Sequence, residues 1–331
     1  MIPAILSLLI KKKYRHIEVA PIIKMKLFVI ASLTTAAAAA GTTQIACSTP
    51  HLQVDVYRAK PFPIKYNASI SLQSSPQAFT LHNSAREAVL VDAPSLDPDA
   101  EDVVKWIEET MPGKTLKYIY VTHGHVDHFG AFPIILRRYP GARLIATAGV
   151  IEHMKTQVSP DSWNSWLSIL PNLTKPSLDG IVALPTNGRF FLDETEEFRA
   201  VSVGEGDTAD STVLHAPSID LVVTGDVIYG RCYQYLAENL TPELRAQWLV
   251  SIERVRALKP KIVIPSHAQD NEGFGITHLE ETEKYIKSFN KWIEKAKDWE
   301  DLENLARYEY PDRIGEYILR ASAQAFFDIS G

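Results

Sequence analysis

Three of the chain's ten histidines fall within six positions, in His123-Gly124-His125-Val126-Asp127-His128. Just before them stands the β-rich run Leu116-Lys117-Tyr118-Ile119-Tyr120-Val121-Thr122, and just after them Phe129 to Arg138 is predicted to be a helix ending near Tyr139-Pro140-Gly141. A strand that empties into ligating side chains fixes them well, because sheet packing holds the backbone they stand on. Alternate residues of an extended strand share a side, so His123 and His125 can converge on one ion. The turn into the helix lets Asp127 and His128 face a second ion beside it. Imidazole with carboxylate suits zinc, one ion or two, with iron or manganese as alternatives.

The rest of the chain repeats this mode. Gln53 to Tyr57 and Ala68 to Leu72 read as short strands, and Ala78 to His82 with Ala88 to Asp92 as a hairpin. Pro98 to Met111 has helical spacing, with Asp97 as a plausible cap. Arg143 to Ala146 reads as a strand, and Ala148 to Gln157 and Asp161 to Leu170 as helices. Further on, Phe198 to Val203 is strand-like and runs into Gly204-Glu205-Gly206-Asp207. Ser211 to Ala216 and Asp220 to Thr224 form a second hairpin that delivers Gly225-Asp226. After the helix Pro242 to Leu258, the strand Ile262 to Pro265 delivers Ser266-His267. A helix-rich tail from Leu279 to Phe327, broken at Pro311, is expected to cover the sheet or the mouth of the site. Asp226 at its strand end can bridge two cations or be a turn residue, and His267 can be a ligand or a structural histidine. Asp92 reads as a strut or a turn residue, and in neither case as a ligand.

His123-Gly124-His125-Val126-Asp127-His128-Phe129-Gly130 resembles the signature of the metallo-β-lactamase-fold superfamily. The resemblance runs from about Val54 to His267. It makes Asp92 the early strand-end aspartate, Asp226 the metal-bridging aspartate and His267 the last histidine ligand. It implies an α/β fold, an αββα four-layer sandwich of two mixed sheets flanked by helices. The implied organisation is a leader over residues 1–41, a metal-binding domain over 51–275 and a helical extension over 276–331. The tail segment Tyr310-Pro311-Asp312-Arg313 is similar to a microbial branch, fungal members included, that acts on small aromatic or polyketide-like compounds.

The family usually supplies a third histidine to the first metal after a strand and a glycine. Here that stretch is Gly204-Glu205-Gly206-Asp207-Thr208-Ala209-Asp210, without a histidine. Glu205 is the expected replacement, Asp207 competes with it, and a degraded site with neither is the third alternative. His215 sits in a predicted strand and reads as a packing or surface residue, while His153 lies on a predicted helix and His278 follows a glycine-containing loop. Tyr229, Tyr233 and Tyr235 are candidates for a pocket wall, though packing explains most of them, and the loop Asn271 to Gly275 is a candidate rim.

The implied activity is metal-assisted hydrolysis of a small ester, lactone, thioester or cyclic amide, with Asp127 orienting the nucleophile or moving its proton. An iron-dependent oxygenase on the same fold, or a non-catalytic small-molecule-binding protein, are the alternatives. Partners are expected to be small molecules. A formal net charge of −6 gives no basic footprint for nucleic acid. Two cysteines, Cys47 and Cys232, make no disulfide framework and read as unrelated thiols, with a single bridge as the alternative under export. Met25-Lys26, an apolar run and the small residues Ala38 and Ala40 fit a signal peptide and hence export, with a cytoplasmic location as the alternative. The run is short for a membrane span, although Ile2 to Ile10 before three lysines leaves an N-terminal anchor open. Under export, Asn67, Asn172 and Asn239 head possible glycosylation triplets.

Overall fold

The protein is described by a computed structural model covering residues 41–65 and 69–327. Residues 1–40 of the expected leader and Asn67 of the first glycosylation triplet lie outside the described residues. The chain begins with β1 (Thr42–Ser48), β2 (Gln53–Ala59) and a small hairpin, β3 (Pro63–Lys65) and β4 (Ser71–Gln73). A longer hairpin, β5 (Gln77–Asn83) and β6 (Glu87–Val91), leads into α1 (Asp97–Thr110) and β7 (Thr115–Tyr120). Next come α2 (Phe132–Arg138), β8 (Arg143–Ala146), α3 (Ala148–Gln157), α4 (Pro160–Ile169) and β9 (Val182–Ala183). The first sheet has the order β1-β2-β5-β6-β7-β8-β9, antiparallel up to β6 and parallel from there.

The second sheet is built from β10 (Arg189–Leu192), β11 (Glu196–Gly204), β12 (Ser211–Ala216) and β13 (Leu221–Val223). After α5 (Pro242–Ala257), β14 (Ile262–Ile264) joins β13 in parallel and completes it. Three helices follow: α6 (Thr277–Lys295), α7 (Trp299–Glu309) and α8 (Glu316–Phe327).

Strand alternation explains the layering. In β7, Tyr118 and Tyr120 point into a core shared with Phe190 and Leu214 of the other sheet, while Ile119 joins the core under Val103, Ile107 and Ile135 of the helices. In β13, Leu221 and Val223 face the first sheet and Val222 faces Trp248 and Ile252 of α5. Strands apolar on both faces must be covered on both faces, and the result is a four-layer αββα sandwich of two mixed sheets. The tail helices belong to this plan: Leu279, Phe289, Leu302 and Leu319 pack in the same apolar cluster as Val213 and Val263 of the second sheet. Truncating a fully buried member such as Ile252 to alanine costs about 2–5 kcal/mol.

Some local expectations shift. The helix expected from Phe129 starts at Phe132, because Pro133 fits only a first turn, and Val126–His128 forms a separate 3-10 turn. Leu96, not Asp97, precedes α1, and no side chain caps that end. The strand expected over Ala68 to Leu72 is Ser71–Gln73, with Ala68 outside the described residues. Cys47 and Cys232 are free thiols. Among the described residues no helix is long and apolar enough to cross a membrane.

Candidate metal centre

Every element that ends at the site is pinned before it arrives. Asp92, after β6, has φ 61°, a left-handed conformation that is uncommon and costly outside glycine. It is fully buried, and its carboxylate accepts hydrogen bonds from the Thr122 N–H (2.8 Å), the Thr122 hydroxyl (2.9 Å) and His128 Nδ1 (2.8 Å). Asp92 is therefore the strut that ties the ends of β6 and β7 together. Gly225 has φ 52°, and a Cβ there would lie 2.7 Å from Thr122 Oγ1, so only glycine lets Asp226 approach this close.

The hydrogen bonds also set the tautomers. His128 Nδ1–H donates to Asp92, His267 Nδ1–H to the Pro76 carbonyl (2.9 Å), and His125 Nε2–H to Glu238 (3.1 Å). Thr122 Oγ1, whose own proton goes to Asp92, accepts from His123 Nδ1–H at 3.0 Å. Each ring therefore spends one nitrogen as a donor and keeps a lone pair on the other.

All four remaining ring nitrogens face carboxylate oxygens, His123 Nε2 at 3.9 Å from Asp207. His125 Nδ1 lies 3.1 Å from Asp207, His128 Nε2 lies 3.4 Å from Asp226 and 3.6 Å from Asp127, and His267 Nε2 lies 3.1 Å from Asp226 and 3.5 Å from Asp127. His123 Nε2, His128 Nε2, Asp207 Oδ1 and Asp226 Oδ1 are buried without a hydrogen-bond partner. Ring nitrogens and carboxylates that confront each other in a buried site need a cation between them, a metal ion or protons on the rings, and leaving them orphaned costs about 1–3 kcal/mol each. The donor set fits divalent metal.

Among the described residues four groups of ligating atoms lie within 4.8 Å of one another, and three of them meet here: His123, His125 and Asp207; His123, His128 and Asp226; and Asp127, His128 and His267; the fourth, Glu272, His278 and Glu281, lies apart from this cluster. Six of the seven expected ligands, His123, His125, Asp127, His128, Asp226 and His267, are thus brought together. Glu205 is not in any of these groups, and Asp207 stands in the position expected of it. The cause is local. β11 pairs irregularly between Ser202 and Gly204, and Gly204 turns the chain at φ 92°. Asn239 Nδ2 then donates to the carbonyls of Gly206 (3.1 Å) and Asp207 (2.9 Å), which fixes the loop with Asp207 turned inward. Asn239 is fully buried in this role, so its triplet offers no glycosylation acceptor in the folded chain.

The charges around this loop separate sharply. Burial lifts the Glu205 carboxyl to about 7, with Glu238 and Asp210 adding to the effect. Burial lifts Asp207 to about 7 as well, against the pull of His125. Burial would also raise Glu238, but its hydrogen bond to His125, the charge of that ring and the hydrogen bond from Thr208 together outweigh this and hold it at about 2. Glu238, which also accepts from the Thr208 hydroxyl, was not among the residues singled out from sequence. Its one signal there is an acid in the irregular stretch between Asp226 and the helix at Pro242.

The cluster floors a cavity of about 340 Å³, a small-molecule size. Asp127, Asp207, Asp226, His125 and His267 line its base, with Tyr229 and Tyr235 beside them. Tyr229 donates to Asp226 at 2.8 Å, so it supports a ligand as well as forming wall. Tyr233 instead donates to the Tyr310 carbonyl in the helical core. α8 contributes Tyr317, Ile318 and Ala321, so the tail does reach the mouth of the site. Asn271 to Gly275 do not line the cavity; Phe274 packs against the inter-sheet core and Glu272 accepts from the Arg231 N–H. His153 sits beside His125, with ring centroids 5.8 Å apart, and His215 and His278 lie outside the cluster.

Comparisons with known proteins agree with this arrangement. Among solved structures, the chain is similar to the metallo-beta-lactamase from Pontibacter korlensis at TM-score 0.53 and 18% identity, covering 74% of this chain and 99% of that one. The metallo-beta-lactamase FIM-1 from Pseudomonas aeruginosa, solved in a mono-zinc form, follows at TM-score 0.51 and 18% identity, covering 74% and 95%. At these identities the likeness concerns the fold. A curated relative, the nitric oxide reductase of Moorella thermoacetica, is 24% identical over 205 residues, which is 60% of this chain and 49% of that protein. The chain thus spans about half the length of that relative. The family model described as the metallo-beta-lactamase superfamily matches residues 85–267, more than half of the chain and every member of the ligand cluster. The chain belongs to the metallo-beta-lactamase superfamily.

Proposed function

We propose that the chain is a metal-dependent hydrolase that cleaves a small ester, lactone, thioester or cyclic amide. The observation that carries this reading is the set of four imidazole lone pairs and three aspartates at the base of a largely apolar cavity. His123, His125 and Asp207 would hold one ion, Asp127, His128 and His267 a second, and Asp226 would lie between them. Zinc at these positions would supply a Lewis acid for the scissile carbonyl and bring the acidity of water towards neutrality. The protein's part is positioning. Asp127 lies where the cluster meets the cavity, with its side chain 32% exposed, and Gln77 donates to its backbone carbonyl. It is placed to accept a hydrogen bond from the attacking water and to pass the proton to the leaving oxygen, sulfur or nitrogen. The apolar walls exclude competing water and hold the acyl portion.

The test is metal content together with turnover of a panel of lactones, lactams and thioesters. Asp127→Ala and His123→Ala should each lower kcat/KM by about 100-fold or more. Full activity in both variants contradicts the mechanism.

One observation favours a second reading. His123, His125 and Asp207 form a two-histidine, one-carboxylate set, which suits non-haem iron, and the Moorella thermoacetica relative is a nitric oxide reductase. Iron in the purified protein with oxygen- or nitric oxide-dependent turnover, and no hydrolysis, would favour redox chemistry over hydrolysis.

A further inference from the structure

The walls of the cavity hold one more piece of information, the charge they accept. Trp166 and Ile169, one turn apart on α4, and Leu170 just after its end form one wall. Phe62 and Ile64 beside β3 and Ile318 of α8 form another. The carboxylates at the cavity are Asp127, Asp207, Asp226 and Glu238, beside the imidazoles of His125 and His267, and among the described residues no lysine or arginine lines it. Proteins that select a carboxylate-bearing ligand place an arginine or lysine to meet it, because the charge-assisted pair offsets desolvation. Serines such as Ser74 and Ser162 and the amide of Gln157 offer hydrogen bonds but no charge, so a ligand carboxylate would exchange its water for a mostly apolar wall and meet carboxylates.

We infer that this site takes uncharged, apolar acyl substrates, such as an aryl lactone or ester without a carboxylate, and discriminates against their anionic counterparts. The inference rests on the hydrolytic reading for its reaction, and on the cavity walls alone for its charge preference. Hydrolysis adds water across the acyl C–O bond and leaves an alcohol, a carboxylate and a proton. The product is therefore the charge state the cavity disfavours, and its release follows from the same walls.

The experiment uses two matched pairs on the metal-loaded full chain. Dihydrocoumarin and dihydrocoumarin-6-carboxylate report turnover, each rate divided by that with hydroxide alone. The inert amides acetanilide and 4-acetamidobenzoate report equilibrium binding by calorimetry. The neutral member should win by at least tenfold in both kcat/KM and Kd. Ile169→Arg, which puts a cation into the wall, should narrow both gaps. Equal or better turnover or binding of the carboxylates overturns the inference, as does failure of both amides to bind. If neither lactone is cleaved the hydrolytic reading falls, and the amide pair still decides the charge preference.

Discussion

The two halves of the ligand cluster are anchored differently. On the side of His128 and His267, the outer nitrogen of each ring is held by a group with no freedom to move. Asp92 is fully buried and tied twice to Thr122, and the Pro76 carbonyl is main chain. On the side of His125 and Asp207, the outer partner is Glu238, whose side chain is 37% exposed to the cavity, and Asp207 rides on a loop tethered by Asn239. The first half is an extension of the sheet core and the second is assembled from loops. Stability and metal binding should therefore respond separately to changes in the two sets of supports.

The largest effect should come from the rigid half. Asp92→Ala strips the acceptor from the Thr122 N–H, the Thr122 hydroxyl and His128 at once. Losing one partner of a buried network of this kind costs about 3–5 kcal/mol, which urea unfolding would read directly. On the loop half, Glu238→Gln should leave unfolding nearly unchanged but weaken one metal site by about 10–100-fold, measured by competition with a chelator. An equal loss of stability in both variants would erase the distinction between the halves. A smaller effect, away from both, concerns His82, buried in β5 with its ring edge-on to Phe198 at 5.2 Å. Burial pushes its pKa down to about 3, so the folded chain keeps it neutral while the unfolded chain protonates it below its ordinary value. Its contribution is full above about pH 6.5 and is lost as pH falls towards 3, at up to about 1.4 kcal/mol per pH unit. Urea unfolding of His82→Phe should show a flatter decline between pH 7 and pH 5 than the parent.

The sequence carried the rigid half well and the loop half poorly, for a physical reason. Asp226 and His267 each follow a run of consecutive apolar residues that marks a buried strand, so their placement is set by short-range pattern. The four-layer fold is legible for the same reason, since Tyr118, Ile119 and Tyr120 are apolar in succession and need cover on both faces. Glu205 and Asp207 stand two residues apart in one loop, and periodicity says nothing about which turns inward. That choice is made by the conformation of Gly204 and by hydrogen bonds from Asn239, far along the chain. Glu238 escaped notice because it lies in an irregular stretch whose only clue is an acidic residue. The start of α2 at Phe132 was legible in Pro133, which belongs in a first turn.

The central claim is that Asp207, and not Glu205, completes the ligand set with His123 and His125. Zinc per chain, measured by elemental analysis after dialysis of the parent, Asp207→Ala and Glu205→Ala, tests it most directly. The account predicts that Asp207→Ala loses one of two zinc equivalents, while Glu205→Ala keeps both. Loss of zinc from Glu205→Ala with full retention by Asp207→Ala would contradict it.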